Sequence, residues 1–163
     1  MKTLSALLLS LLSLAPVAHC AVPVDDVLAK LPAPSIEEGA ALIQKLSADG
    51  PAVVLEVARR IKPSEVDPTP APRFALQGLT AMYGRADTPA ATRAAYAKAL
   101  LQATSETPSP EIRVLLLQDL RRVAGGESIQ GLAPYQSSAD TYFQACAVLQ
   151  SINTPAAHAA LVN

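Results

Sequence analysis

Three pairs of a hydroxyl residue and a following proline in the second half of this chain stand ahead of apolar helical runs, two of them alanine-rich: Thr88-Pro89, Ser109-Pro110 and Thr154-Pro155. Each pair is a helix start signal. The hydroxyl can cap free backbone N–H groups, and proline is tolerated at the first helical position, where its missing N–H would have had no partner. Stop signals alternate with the starts, at Gly84 and at Gly125-Gly126. A chain punctuated this way is restricted to short helices joined by tight turns.

The first half carries the same marks in different residues. Val24 to Leu31 reads as a short helix led by Asp25 and Asp26 and ended by Pro32 and Pro34. Ser35 and Glu38 have capping-box spacing, and Ile36, Ala40, Ile43 and Leu46 follow at helical intervals up to Asp49-Gly50. Pro51 opens the next helix, whose apolar face is Val53, Val54, Val57, Ala58 and Ile61. Residues 62–72 hold Pro63, Pro68, Pro70 and Pro72 and are expected to form an extended connector. Beyond it the pattern predicts helices over 73–83, 90–104, 112–124 and 128–133, the last stopped by Pro134. Ser138 is expected to lead a helix over 139–152, and Thr154-Pro155 to start a final one.

Composition agrees with helices over sheets. Half of the residues are hydrophobic, only 4% are aromatic and there is no Trp, so alanine and leucine carry the apolar content. Charge excludes one class of partner: with Lys2 set aside from the 13 basic residues, the 14 acidic ones are in slight excess. No basic face for nucleic acid is expected.

The first twenty residues read as an export signal. Lys2 supplies the charge, Leu4 to Leu14 an apolar stretch too short to span a bilayer, and Pro16 a helix break. Ala18 and Cys20 are the small residues that signal cleavage needs, so the mature chain is expected to begin at Ala21. A lipid anchor on Cys20 is the rival, and His19 directly before it fits that pattern poorly. The resulting division is a signal peptide over 1–20 and one helical domain over 21–163. Within that domain lie a divergent hairpin at 35–61, the connector at 62–72 and clearer repeats over 73–163.

The repeats are visible as matching stripes. Leu76, Leu79 and Met82 form one, Leu117, Leu120 and Val123 a second, and Cys146, Leu149 and Ile152 a third, each spaced i, i+3, i+6. Pro110-Glu111-Ile112-Arg113 through Leu120, Val123-Ala124-Gly125, Ile129 and Leu132 resembles a HEAT-like repeat of the short bacterial kind. So does Ala145 to Ala157. The likeness runs from about Arg73 to the end and more loosely from Ser35 to Ile61. Arg113 stands where that family often has an arginine early in a hairpin's second helix, and the repeat length drifts. The resemblance implies an all-α fold, a right-handed α-solenoid of stacked antiparallel helical hairpins. The run from Ala156 to Val162 is apolar and falls inside an incomplete repeat. Either a partner covers this end or, the favoured expectation, the chain is the front of a longer protein.

The residues offer little catalytic chemistry. His158 is the single histidine after the leader, and Cys146 lies within an apolar stripe between Phe143 and Leu149, where a small buried hydrophobe is expected. No Cys/His spacing suits zinc, and no glycine-rich phosphate loop occurs, so no cofactor or metal is expected. Asp25-Asp26 and Glu37-Glu38 stand where helix starts favour negative charge. Arg59, Arg60, Arg121 and Arg122 lie at helix ends, and stacked hairpins would bring them to one edge as a candidate interaction surface. The expected function is an exported, non-catalytic scaffold that binds a protein or peptide, with no membrane span. Two alternatives stand beside it: the non-catalytic front of a larger secreted enzyme, acting on carbohydrate for example, and a small-ligand carrier.

Overall fold

The computed structural model describes residues 23–64 and 70–162. The export signal, Cys20, Ala21 and the middle of the connector lie outside the described residues. Those described form nine α-helices and no strand. They are α1 (Val24–Leu28), α2 (Ile36–Ser47), α3 (Val53–Ala58), α4 (Ala71–Tyr83), α5 (Ala90–Glu106), α6 (Pro110–Leu120), α7 (Ile129–Gln136), α8 (Tyr142–Ile152) and α9 (Pro155–Leu161). A 3₁₀ turn, Gly126–Ser128, leads into α7.

Local capping sets several starts. The Ser35 hydroxyl accepts from the Glu38 amide at 3.2 Å, Ser109 from Ile112 at 3.5 Å, and Thr154 from Ala157 at 3.2 Å. At four other places the expectation needs correction. Pro89, not Thr88, occupies the N-cap of α5, and the Thr88 hydroxyl turns back to donate to the Met82 carbonyl at 3.2 Å. That bond closes the α4–α5 turn instead of capping α5. Pro134 does not stop α7 but sits inside it, two residues before its end. A helix this short loses one internal hydrogen bond to the proline and retains its remaining turn. Ser138 to Thr141 form a turn, and α8 begins only at Tyr142. α4 starts at Ala71, with Pro72 in its first turn, earlier than Arg73.

The helices pack in two rows. α4 packs on α2 and α6, and α6 on α8, so the first helices of successive pairs are neighbours. On the other side α3 packs on α5, α5 on the 3₁₀ turn before α7, and α7 on α9. Between the rows α4 meets α3 and α5, α5 meets α6, and α8 meets both α7 and α9. The core follows these seams. Leu46, Val54, Val57, Leu76, Leu79, Leu100, Leu116, Leu117, Leu120, Leu132, Val148 and Leu149 are fully buried in it. The stripes expected from the sequence are buried at Leu76, Leu79, Leu117, Leu120, Val123 and Leu149, whereas Met82, Cys146 and Ile152 are only half-buried.

Two contacts fix the direction of α2 against α4. A Cβ on Gly39 would lie 3.8 Å from the Phe74 ring, and one on Gly78 would lie 2.6 Å from Ile43. Steps of four residues on one helix match steps of four on the other, so α2 and α4 run parallel. The glycine at 78 lets the two backbones come close.

Candidate interaction groove

On their outer side α2 and α4 enclose an open groove of about 830 Å³. α2 contributes Ile36, Gly39, Ala40, Ile43, Gln44 and Ser47, and α4 contributes Phe74, Gly78, Ala81 and Met82, with Arg85 just beyond its end. Both sets recur every three to four residues, so each helix offers one stripe. The floor is made of small residues. Ile36, 87% exposed, and Phe74, 40% exposed, stand at one end. Both are large apolar side chains left outside the core beside this concavity. At the other end Arg85 pairs with Asp87, Nε to Oδ1 at 3.0 Å, and this guanidinium lowers the Asp87 pKa.

The arginines singled out from the sequence make different contacts. Arg59 pairs with Glu56 at 2.8 Å and reaches Glu106 at the end of α5 at 3.1 Å. Arg60 clasps Asp25, Nε to Oδ1 at 2.5 Å, and pairs with Glu56 at 2.9 Å, tying α1 to α3. Hydrogen bonds from Arg60 hold the carboxyls of Asp25 and Glu56 below their usual range. Arg122 lies elsewhere: its carbonyl would be 3.5 Å from a Cβ on Gly84, at the close of α4. Arg121 and Arg122 are exposed, while Arg59 and Arg60 are engaged in ion pairs that order the fold.

A second pocket, of about 360 Å³, lies where α3 and α5 end beside the turn into α6. Leu55, Ile61, Ala103 and Ile112 line it, with Arg59 and Glu106 at its mouth. Nearby, Glu111 anchors the visible start of the connector. It accepts from the Ser64 hydroxyl at 2.6 Å and from Arg73 at 2.6 Å, and these bonds bring its pKa down to about 2.

Between α4, α5 and α6 sits a polar cluster that the sequence did not suggest. The Tyr96 hydroxyl and Thr80 Oγ1 are hydrogen-bonded at 2.9 Å, both residues being fully buried. Asp119 of α6, only 5% exposed, joins them. Burial raises its pKa, with the Thr80 hydroxyl and the Arg122 charge opposing the shift. Burial likewise pushes the Tyr96 phenol well above its ordinary value.

Other expectations are placed differently. Cys146 is a free, half-buried thiol, and its neighbour Phe143 is 79% exposed, so this end of the stripe faces outward. His158 is exposed on α9. Arg113 lies in α6, the first helix of its pair, and its Nε donates to the Thr107 carbonyl at 2.8 Å. Among the described residues no group of three or more His, Cys, Asp or Glu is placed to hold a metal ion, and no helix is long and apolar enough to cross a membrane. Compared with known proteins, the chain matches no family model, no curated protein and no solved structure.

Proposed function

We propose that this chain is an exported, non-catalytic, right-handed HEAT-like α-solenoid that binds a protein or peptide in the α2–α4 groove. The observation that carries the reading is the groove itself: two parallel stripes, a floor of glycine and alanine, and Ile36 and Phe74 left out of the core. The solenoid reading is supported by the two rows of neighbouring helices, α2, α4, α6 and α8 in one and α3, α5, α7 and α9 in the other. Fold of this kind does not dictate function, so the weight rests on the exposed apolar surface.

Export is proposed on the pattern of Lys2, Leu4 to Leu14 and Pro16. N-terminal sequencing of the protein recovered from outside the cytoplasm should begin at Ala21. A start at a modified Cys20 would replace secretion with lipid anchoring.

The binding site is tested with a photo-crosslinker at Ala81, an exposed groove residue. Wild-type chain should yield a discrete adduct with one protein, and Ala40→Gln with Ala81→Gln competing chain should fail to suppress it. Adducts equally suppressed by that double variant would remove the groove from the account. A small-ligand carrier is the second reading, because the volume lies within the range of ordinary ligand sites. Native mass spectrometry of the purified chain would show a bound small molecule if that reading holds.

A further inference from the structure

We infer that Asp119 is a proton-operated latch at the end of α6, turned inward to Thr80 when neutral and outward to Arg122 when ionised. One proton then sets both the hold of α6 on α4 and the charge that Arg122 shows to solvent.

The inner position suits a neutral acid and serves a charge poorly. Asp119 is buried, and among the described residues the Thr80 hydroxyl is the side-chain donor that reaches its carboxyl. An ionised carboxylate has room for about four hydrogen bonds, so a single hydroxyl leaves the charge under-served. Burial is accordingly the largest influence on this acid and keeps its proton on to higher pH than usual. The neighbouring elements bring no cation to its inner side. α4 supplies Tyr83 and α5 supplies Tyr96, stacked phenols that burial keeps neutral. α8 packs on α6 as well, and its ionisable side chains, Tyr142 and Cys146, interact with each other. Arg85, just past α4, is taken by Asp87, and Arg93 of α5 donates to the Arg85 and Thr88 carbonyls.

The outer position is within reach without unfolding. The Arg122 amide donates to the Asp119 carbonyl at 3.1 Å, an i, i+3 bond, and in such a turn side chains three apart eclipse. Arg122 is exposed and, among the described residues, has no ion pair, and its charge already favours the ionised form of Asp119. Arg121, two residues on, does not face Asp119. When the carboxylate leaves, Thr80 and Tyr96 keep each other, because their oxygens are 2.9 Å apart and either can donate. Neither hydroxyl is orphaned, so both positions of the acid are closed hydrogen-bond arrangements. What is lost is the polar tie of α6 to α4, where the two helix ends converge: a Cβ on Gly84 would lie 3.5 Å from the Arg122 carbonyl and 3.5 Å from Val123. The inner position is fully held in acid and is given up as pH rises through the raised, folded value.

The test is an NMR titration of the full chain. The Asp119 carboxyl carbon and the Arg122 Nε–H resonance should shift with one shared midpoint, above the ordinary aspartate value of about 4. Contacts between the Asp119 Hβ protons and the Thr80 methyl should fade over the same range. Asp119→Asn should keep those contacts and hold the Arg122 resonance at its acid position at every pH. Arg122→Gln changes an exposed side chain and should raise the proton affinity of Asp119 about two- to fivefold, the scale of an exposed ion pair. Contacts to Thr80 that persist while the Asp119 carboxyl titrates would overturn the latch, since the charge would then form in place. A midpoint unmoved by Arg122→Gln would overturn Arg122 as the outer position. An Arg122 resonance that shifts in Asp119→Asn as it does in the parent would assign its titration to another group and overturn the switch. Should Asp119→Asn fail to fold, the parent and Arg122→Gln titrations decide alone.

Discussion

Tyr83 of α4 and Tyr96 of α5 stack with ring centroids 4.5 Å apart and planes inclined by 24°. The stack lies beside the Thr80–Tyr96 hydrogen bond, so one side chain from α5 serves both an aromatic contact and a buried polar one. Tyr96→Phe keeps the stack and removes the hydroxyl, leaving Thr80 without that partner. A loss of about 1–2 kcal/mol is expected. Tyr96→Ala removes both and should cost about 3–5 kcal/mol. Urea unfolding with unchanged slope would measure each, and equal losses would show that the hydrogen bond contributes nothing separable.

Asp119 gives stability an unusual pH dependence. Its folded pKa is raised by burial, so the folded chain binds its proton more tightly than the unfolded chain does. Stability from this group is highest in acid and falls as pH rises from the unfolded value through the folded one. Relative to Asp119→Asn, the wild-type chain should lose melting temperature as pH rises above the ordinary aspartate value of about 4. Comparison with the variant isolates the effect from carboxylates such as Asp25 and Glu56, which act in the opposite direction. A constant difference across that range would contradict the burial of the charge.

Glu111 behaves in the reverse sense. With its pKa brought down to about 2, its bonds to Ser64 and Arg73 persist above the unfolded value and are lost as pH falls towards 2. Hydrogen exchange should show the Ser64 amide, which donates to Glu111 at 3.2 Å, protected near neutrality and released in strong acid. Glu111→Gln should reproduce the released state at all pH values.

The two glycines of the α2–α4 seam should respond oppositely to alanine. Gly39→Ala meets only ordinary contacts at 3.8 Å and gains helix propensity, so it should stabilise by up to about 1 kcal/mol. Gly78→Ala drives a methyl to 2.6 Å from the stiff Ile43 side chain and should destabilise by about 1–2 kcal/mol after the same gain. Paired denaturation curves measure the difference, and Gly78→Ala with Ile43→Val should recover part of the loss.

Arg60→Ala removes the clasp on Asp25 and the pair to Glu56. Because the partners are exposed, the effect on global stability should be small and salt-dependent. The local effect should be larger: amides of α1 should exchange faster in the variant than in the parent, and added salt should narrow the gap.

What the sequence made legible was local. Ser35, Ser109 and Thr154 act as caps because each acts on an amide three residues ahead, a relationship contained in a few residues. Thr88 has the same neighbours but its hydroxyl is drawn to the carbonyl of Met82, a choice set by the turn's path. The stripe Ile36, Ala40, Ile43 and Leu46 looked continuous, yet only Ile43 and Leu46 reach the core. Periodicity identifies an apolar face but not whether a neighbour covers all of it. Asp119 was passed over because a carboxylate between Gln118 and Leu120 reads as a solvated position until α4 and α5 are placed above it.

The packing of α6 gives this molecule a seam. Close packing between the five helices before it and the three after it runs through α6, the adjoining turn at Gly126–Ser128 and the approach of Leu101 on α5 to Gly131 on α7. Denaturant or force that opens this seam would part the chain into two lobes, and exchange would then report two separate opening events instead of one. The acid buried within that splice makes its strength a matter of proton supply.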